Sequence, residues 1–197
     1  MAKTRSVGIF IFPDVEVLDF CGPFEVFSVA GRQVAPGAFD VFTVAKSAEP
    51  LLARNGFSVV PKHTFADAPA IDLLVIPGGQ GTRQLVKNNA VLDWIGRQAA
   101  SAELVLSVCT GALLLARCGL LDGLSATTHH AALDLLRELA PQTTVRDDVR
   151  VVDNGRVITS AGVAAGIDMS FHVLAKLLGR ETAEKTARYI EYPWRPD

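Results

Sequence analysis

A chain of 197 residues, 49% of them hydrophobic and with a formal net charge of only −2, is long enough to bury a full core in one compact domain. Its 19 basic and 21 acidic side chains nearly balance and form no Lys/Arg cluster, so nothing in the charge pattern calls for nucleic acid as a partner. No stretch approaches the roughly 18 uninterrupted apolar residues needed to cross a bilayer, so no membrane partner is expected and a cytoplasmic location is.

The basic start, Met1 to Ser6, resembles the flank of an export signal. The apolar run that follows stops at Pro13-Asp14 without a small-residue cleavage site, and is expected to be the first core strand. In Leu18-Asp19-Phe20-Cys21-Gly22-Pro23 a carboxylate stands in apolar surroundings where a helix should start. Asp19 is then either a cap or first-turn acid, or a functional acid whose pKa burial raises. Glu16 and Glu25 read as solvated. Phe39 to Ala45 is a second strand, and Pro50 to Val60 reads as a hairpin around Asn55-Gly56. Asp72 to Pro77 is a buried strand ending at Gly78-Gly79, where bare backbone N–H groups can face a small ligand. The following Gln80-Gly81-Thr82 completes no GxGxxG fingerprint, so a nucleotide cofactor is not expected. After a helix around Val91 to Ala100 comes the strand Glu103 to Val108, the turn Cys109-Thr110-Gly111, and a new helical pattern. Thr127-Thr128-His129-His130 follows a short strand and leads into a helix over 131–139. Val149 to Thr159 alternates around Asp153-Asn154-Gly155 as a second hairpin, and helices follow over 163–178 and 181–189.

Near-continuous apolar strands alternating with helices predict a doubly wound α/β sandwich with a mostly parallel central sheet and two added β-hairpins, forming one domain over 1–197. Such sheets bind ligands at the carboxyl ends of their strands, near the switch in strand order. Three turns are therefore candidates: the one leading to Asp19, Gly78-Gly79, and Cys109-Thr110-Gly111.

At the third of these a thiol stands beside the unpaired N–H groups that open a helix, so a depressed pKa and a nucleophilic role for Cys109 are expected; the alternative is a buried structural cysteine. The three cysteines form no CxxC pair and no zinc-like spacing with the four histidines, which fits free thiols, a reducing compartment and no metal. Cys118 reads as a small apolar residue; Cys21 lies two residues from Asp19. His129 is either a helix cap or a general base for Cys109, and His63 and His172 take no role.

Taken together, Phe12-Pro13-Asp14 with Leu18-Asp19 and Gly22-Pro23, Ile76-Pro77-Gly78-Gly79, Ser107-Val108-Cys109-Thr110-Gly111-Ala112, and Gly119 to Gly123 with Ala126-Thr127-Thr128-His129 resemble the ThiJ/PfpI superfamily, which is class I glutamine amidotransferase-like. The resemblance runs from about Ser6 to Tyr192 and implies a flavodoxin-like fold and a homodimer. Within the superfamily the chain is most similar to the isocyanide (isonitrile) hydratase branch and to the amino-terminal domains of AraC-type regulators. Asp19 and Thr110 stand where peptidase and glyoxalase relatives carry Glu and His, and no basic helix-turn-helix follows, so a stand-alone enzyme is expected. The implied reaction adds water to an isocyanide, R–N≡C, to give an N-substituted formamide. Cys109 would attack the terminal carbon, Asp19 would supply the proton, and the Thr110 hydroxyl would hydrogen-bond the sulfur. Backbone N–H groups at Gly79 and Thr110 would stabilise developing charge, and Gly78, Gly79 and His129 would line the substrate. This chemistry requires no cofactor. Redox sensing through Cys109, or aldehyde chemistry of the glyoxalase or deglycase type with His129 as base, are the alternatives.

Overall fold

The computed structural model describes residues 3–195. Its strands are β1 (Arg5–Phe10), β2 (Phe39–Ala45), β3 (Leu51–Leu52), β4 (Ser58–Val59), β5 (His63–Thr64), β6 (Leu73–Ile76), β7 (Leu104–Val108), β8 (Ser125–Ala126), β9 (Thr144–Val145), β10 (Val151–Asp153) and β11 (Val157–Ser160). Its α-helices are α1 (Val17–Val29), α2 (Thr82–Leu85), α3 (Asn89–Ser101), α4 (Gly111–Arg117), α5 (Leu133–Leu139), α6 (Ala165–Leu178) and α7 (Arg180–Tyr189). Seven strands form the central sheet in the order β10-β11-β7-β6-β1-β2-β5, every pair parallel except β10 with β11.

Covering both faces of that sheet requires apolar strands, and every residue of β6 and β7 is buried. Helices α1, α6 and α7 pack together on one face, while α4 packs with α2, α3 and α5 on the other. Trp94 of α3 stacks on Phe65 with ring centroids 4.2 Å apart and lies 5.7 Å from Phe10, anchoring that helix to the sheet. Among the described residues no helix is long and apolar enough to cross a membrane.

The chain leaves β1 toward β2 on one side and returns to build β6, β7 and β11 on the other, so the switch point lies between β1 and β6. The turns carrying Asp19, Gly78-Gly79 and Cys109 are those after β1, β6 and β7, which brings all three to one crevice. One expectation needs correcting. The hairpin around Asn154-Gly155 is no addition to the core, because β11 pairs in parallel with β7 and is wholly buried. Its turn is also of a different kind. Only Gly155 has positive φ, its N–H donates to Asp153 Oδ1 at 2.7 Å, and the Asn154 side chain instead exchanges hydrogen bonds with Ser125 of β8. The β3–β4 hairpin does stand apart as its own sheet, with Asn55 and Gly56 at φ 60° and 80°.

Candidate functional site

Cys109 occupies the sharp turn between β7 and α4 with φ +56°, a strained conformation for a side-chain-bearing residue. The surroundings over-determine it. Its N–H donates to the Ser160 and Ala161 carbonyls at 3.2 and 3.1 Å, and its carbonyl accepts from Thr128 Oγ1 at 2.7 Å. The following Gly111 lets α4 start against the end of β6, because a Cβ there would run into the Ile76 carbonyl. Cys109 is 6% exposed, and the N–H groups of Thr110 and Val163 lie against the sulfur.

Asp19 sits in the first turn of α1, completely buried. The segment leading into α1 is clamped to the glycine loop, since Val15 bridges Gly79 and the Glu16 N–H donates to the Gly78 carbonyl at 2.9 Å. Gly78 N–H in turn donates to Asp19 Oδ2 at 2.9 Å. A Cβ on Gly78 would fall 2.5 Å from the Thr110 nitrogen and 2.9 Å from Asp19 Oδ2, so only glycine lets the carboxylate and the elbow meet across this loop. Oδ1 is buried with no hydrogen-bond partner at full bonding geometry. The Cys109 thiol and the Val163 N–H are near enough to favour the ionised carboxylate, but more weakly than burial opposes it.

Burial pushes the Asp19 carboxyl up to about 7; the Gly78 N–H works against this and the Glu16 charge adds to it. Burial also pushes the Cys109 thiol up to about 12, reinforced by the neighbouring Asp19 charge and only partly offset by the Thr110 and Val163 N–H groups. The depressed pKa expected for a cysteine at a helix start is therefore wrong for this site. Desolvation and an adjacent carboxylate outweigh the helix terminus. A thiol and a carboxyl in one buried pair titrate together: the pair loses its first proton near 7, from the carboxyl, and the proton that remains above that pH sits on the sulfur.

The sequence of this chain matches the DJ-1/PfpI family over residues 5–176. It is 38% identical over 191 residues to the isonitrile hydratase of Pseudomonas putida, an alignment covering 97% of this chain and 80% of that protein. This chain belongs to the DJ-1/PfpI family. It is also 26% identical to the HTH-type transcriptional regulator GbdR of Pseudomonas aeruginosa, of which it spans 51%. A crystal structure of a THiJ/PfpI family protein from Pseudomonas syringae superposes with a TM-score of 0.87 at 30% identity, covering 98% of this chain and 77% of that one. The flavodoxin-like sandwich is thus the DJ-1/PfpI fold.

Against the remaining expectations for a DJ-1/PfpI site, the structure makes several changes. The Thr110 hydroxyl does not face the sulfur. Its oxygen accepts from Gly79 N–H at 3.0 Å and from Thr82 Oγ1 at 3.1 Å, and lies 3.2 Å from the Gly79 carbonyl. It ties the elbow to the glycine loop, and because the Gly79 N–H is already donated there, that group is not free to stabilise charge. Thr110→Val should leave this buried N–H without a partner, a cost of about 1–3 kcal/mol. A lowered Tm with an unchanged rate of Cys109 alkylation is the expected result; a changed rate would return the hydroxyl to the sulfur.

His129 caps the turn at His130–Ala132, its Nδ1 accepting from Ala131 N–H at 3.2 Å, and its ring lies against Gly162 with its centroid 4.2 Å from that of the tilted His130 ring. Burial, with the charges of His130 and Arg83, holds its pKa below the ordinary value. The cap role is thus observed, and the ring borders the loop that carries Val163. Cys21 lies two residues from Asp19 on α1, a spacing that turns the two side chains to different sides of the helix, and burial raises its pKa. Cys118 packs beside Leu92, its thiol 3.5 Å from the Leu92 carbonyl.

Three contributors went unread in the sequence. Thr82 is completely buried and bonded to Gly79 and Thr110. Val163, at φ +51°, turns its N–H toward the thiol and carboxyl. Glu16, read as solvated, is half-buried and acts on Asp19. Val163 had a usable signal: it follows β11, whose carboxyl end shares the crevice. Assigning that strand to an added hairpin concealed it.

Proposed function

We propose that this protein hydrates isocyanides to N-substituted formamides, with Cys109 as nucleophile and Asp19 as the proton-transfer group. The observation that carries this reading is a buried thiol facing a buried carboxyl that titrates near 7, at the switch point of the sheet. The isonitrile hydratase relative supports it.

Addition to an isocyanide places both the nucleophile and the proton on the terminal carbon. Ionised Asp19 takes the thiol proton as sulfur bonds to that carbon, then delivers the proton to the same carbon, leaving a thioimidate, R–N=CH–S–Cys109. Asp19, ionised again, removes a proton from water as its oxygen adds to the thioimidate carbon. Collapse expels the sulfur, nitrogen and thiolate each regain a proton, and the net change is R–N≡C plus water giving R–NH–CHO. No standing thiolate is needed, because the thiol loses its proton only as the carbon is attacked. The N–H groups of Thr110 and Val163 favour the sulfur anion as it forms.

The same features weigh against the alternatives. Peroxide sensing favours an accessible thiolate, whereas this thiol is buried and titrates near 12. General-base chemistry by His129 would draw on a ring whose Nδ1 is already occupied by a backbone donor. A cytoplasmic homodimer without nucleic acid, membrane or cofactor belongs to the same proposal. Formamide appearance from para-nitrophenyl isocyanide is the direct test; a folded, reduced protein that produces none would overturn the reading.

A further inference from the structure

The consecutive residues Thr127, Thr128 and His129 are fastened to the segments that hold Cys109. Thr127 N–H donates to Thr159 Oγ1 of β11 at 2.9 Å, and Thr128 Oγ1 donates to the Cys109 carbonyl at 2.7 Å. The His129 ring then covers Gly162 so closely that a Cβ there would overlap ring atom Cδ2. Gly162 lies in the loop between β11 and α6, one residue past Ala161, whose carbonyl takes the Cys109 N–H at 3.1 Å. The elbow is thus held at its carbonyl by Thr128 directly, and at its N–H by a loop that lies under the His129 ring.

That loop needs a constraint from outside itself. It is tied at its start, where Ala161 N–H donates to the Arg150 carbonyl at 2.9 Å. It is tied again where the first turn of α6 closes on β7, since a Cβ on Gly166 would fall 2.8 Å from Val108 Cγ1. Between those ties Val163 has φ +51°, an outlier for a β-branched residue, and such conformations persist only where the surroundings over-determine them. A cavity of about 210 Å³ bordered by Thr128, His129, Ala161 and Gly162 lies beside the contact, so the loop has room to relax once the ring is withdrawn.

We propose that His129 is a positioning residue whose ring, by its bulk and not by its nitrogens, holds the Gly162 loop in place and so keeps the Ala161 carbonyl on the Cys109 N–H. The nitrogens serve a separate purpose: Nδ1 accepts from Ala131 N–H at 3.2 Å, which anchors the ring. The turnover part of the test rests on the hydratase reading; the hydrogen-exchange part does not.

Three substitutions separate ring from nitrogens. His129→Asn keeps an acceptor suited to capping Ala131 and loses the ring, His129→Phe keeps a ring and loses the acceptor, and Gly162→Ala leaves His129 whole but drives a Cβ into its ring. In native-state hydrogen exchange the Cys109 amide should exchange about tenfold faster in His129→Asn than in wild type while the β1 amides keep their rates, and His129→Phe should restore most of the protection. Isocyanide turnover should follow, with kcat about tenfold to a hundredfold lower in His129→Asn at nearly constant KM, because a misplaced nucleophile costs rate and not affinity. Gly162→Ala should reproduce the His129→Asn result in both measurements, and His129→Phe should recover most of kcat. Impairment of His129→Phe equal to that of His129→Asn, with Gly162→Ala behaving as wild type, would assign the role to the nitrogens and overturn the proposal. A change confined to KM would put the ring against the substrate, and faster exchange spread evenly over β1 and the elbow would be general destabilisation; either result also overturns it. If no isocyanide is hydrated, the hydratase reading fails and exchange at Cys109 decides alone: full protection in His129→Asn ends the positioning role.

Discussion

Replacing Cys109 with Ala is expected to lower isocyanide hydration about 10³-fold or more while leaving the fold in place. The substitution removes the atom that bonds to carbon and also the partner from which Asp19 takes its proton, so nucleophilic and proton-transfer contributions are lost together. Folding should tolerate it. The elbow is held by backbone bonds to Ser160, Ala161 and Thr128, none of which involves the sulfur, and Ala replaces a single buried atom. Formamide appearance and thermal melts on the same samples make the check. Turnover that persists in a folded Cys109→Ala protein would remove the thiol from the mechanism.

Asp19→Asn is expected to lower turnover about 10²- to 10⁴-fold and at the same time to stabilise the protein above pH 7. Folded Asp19 titrates at about 7, against the ordinary 3.8. Below about pH 4 the group is protonated whether folded or unfolded, and stability is unaffected. Between pH 4 and 7 the unfolded chain releases the proton and the folded one retains it, so stability falls as pH rises; above 7 the deficit stays constant. A difference of roughly three pKa units corresponds to a deficit on the order of 4 kcal/mol. Asn cannot ionise and can still accept from Gly78 N–H. Its Tm should therefore exceed that of wild type by on the order of 10 °C at pH 8, with the gap closing toward pH 4. Matching Tm values at both pH values would show that Asp19 is not desolvated as described. The same titration predicts that kcat/KM of the wild type rises with pH through about 7, where the pair drops to one proton, and holds level well above it.

The opposed signs of those two effects fit a functional site: a buried carboxyl that lowers stability is retained because the chemistry needs it. Its burial is tertiary. Apolar neighbours in Leu18 to Pro23 suggested a desolvated acid, but equally a helix cap, and Asp19 does sit in the first turn of α1. What decides between them is Gly78, fifty-nine residues away, whose N–H reaches Oδ2 and whose missing side chain lets Thr110 approach.

Strands β1, β2, β6 and β7, most of the helices and the elbow at Cys109 were legible, because burial on both faces forces continuous apolar runs and sharp turns demand particular residue types. The crevice was legible for a related reason, since a parallel sheet carries its sites where its strands end. Hidden from the sequence were the partners. An Asn-Gly turn marks a hairpin without showing whether one strand continues the main sheet, and β11 does. A hydroxyl after the nucleophile has no direction in a sequence, and Thr110 turns to Gly79 and Thr82. The pKa of Cys109 reversed for the same reason. The helix terminus that would lower it is local and readable, whereas the burial and the Asp19 charge that raise it come from elements brought together only by folding. Local periodicity thus determined the elements and the site's address, and packing between distant segments decided which groups share a proton there.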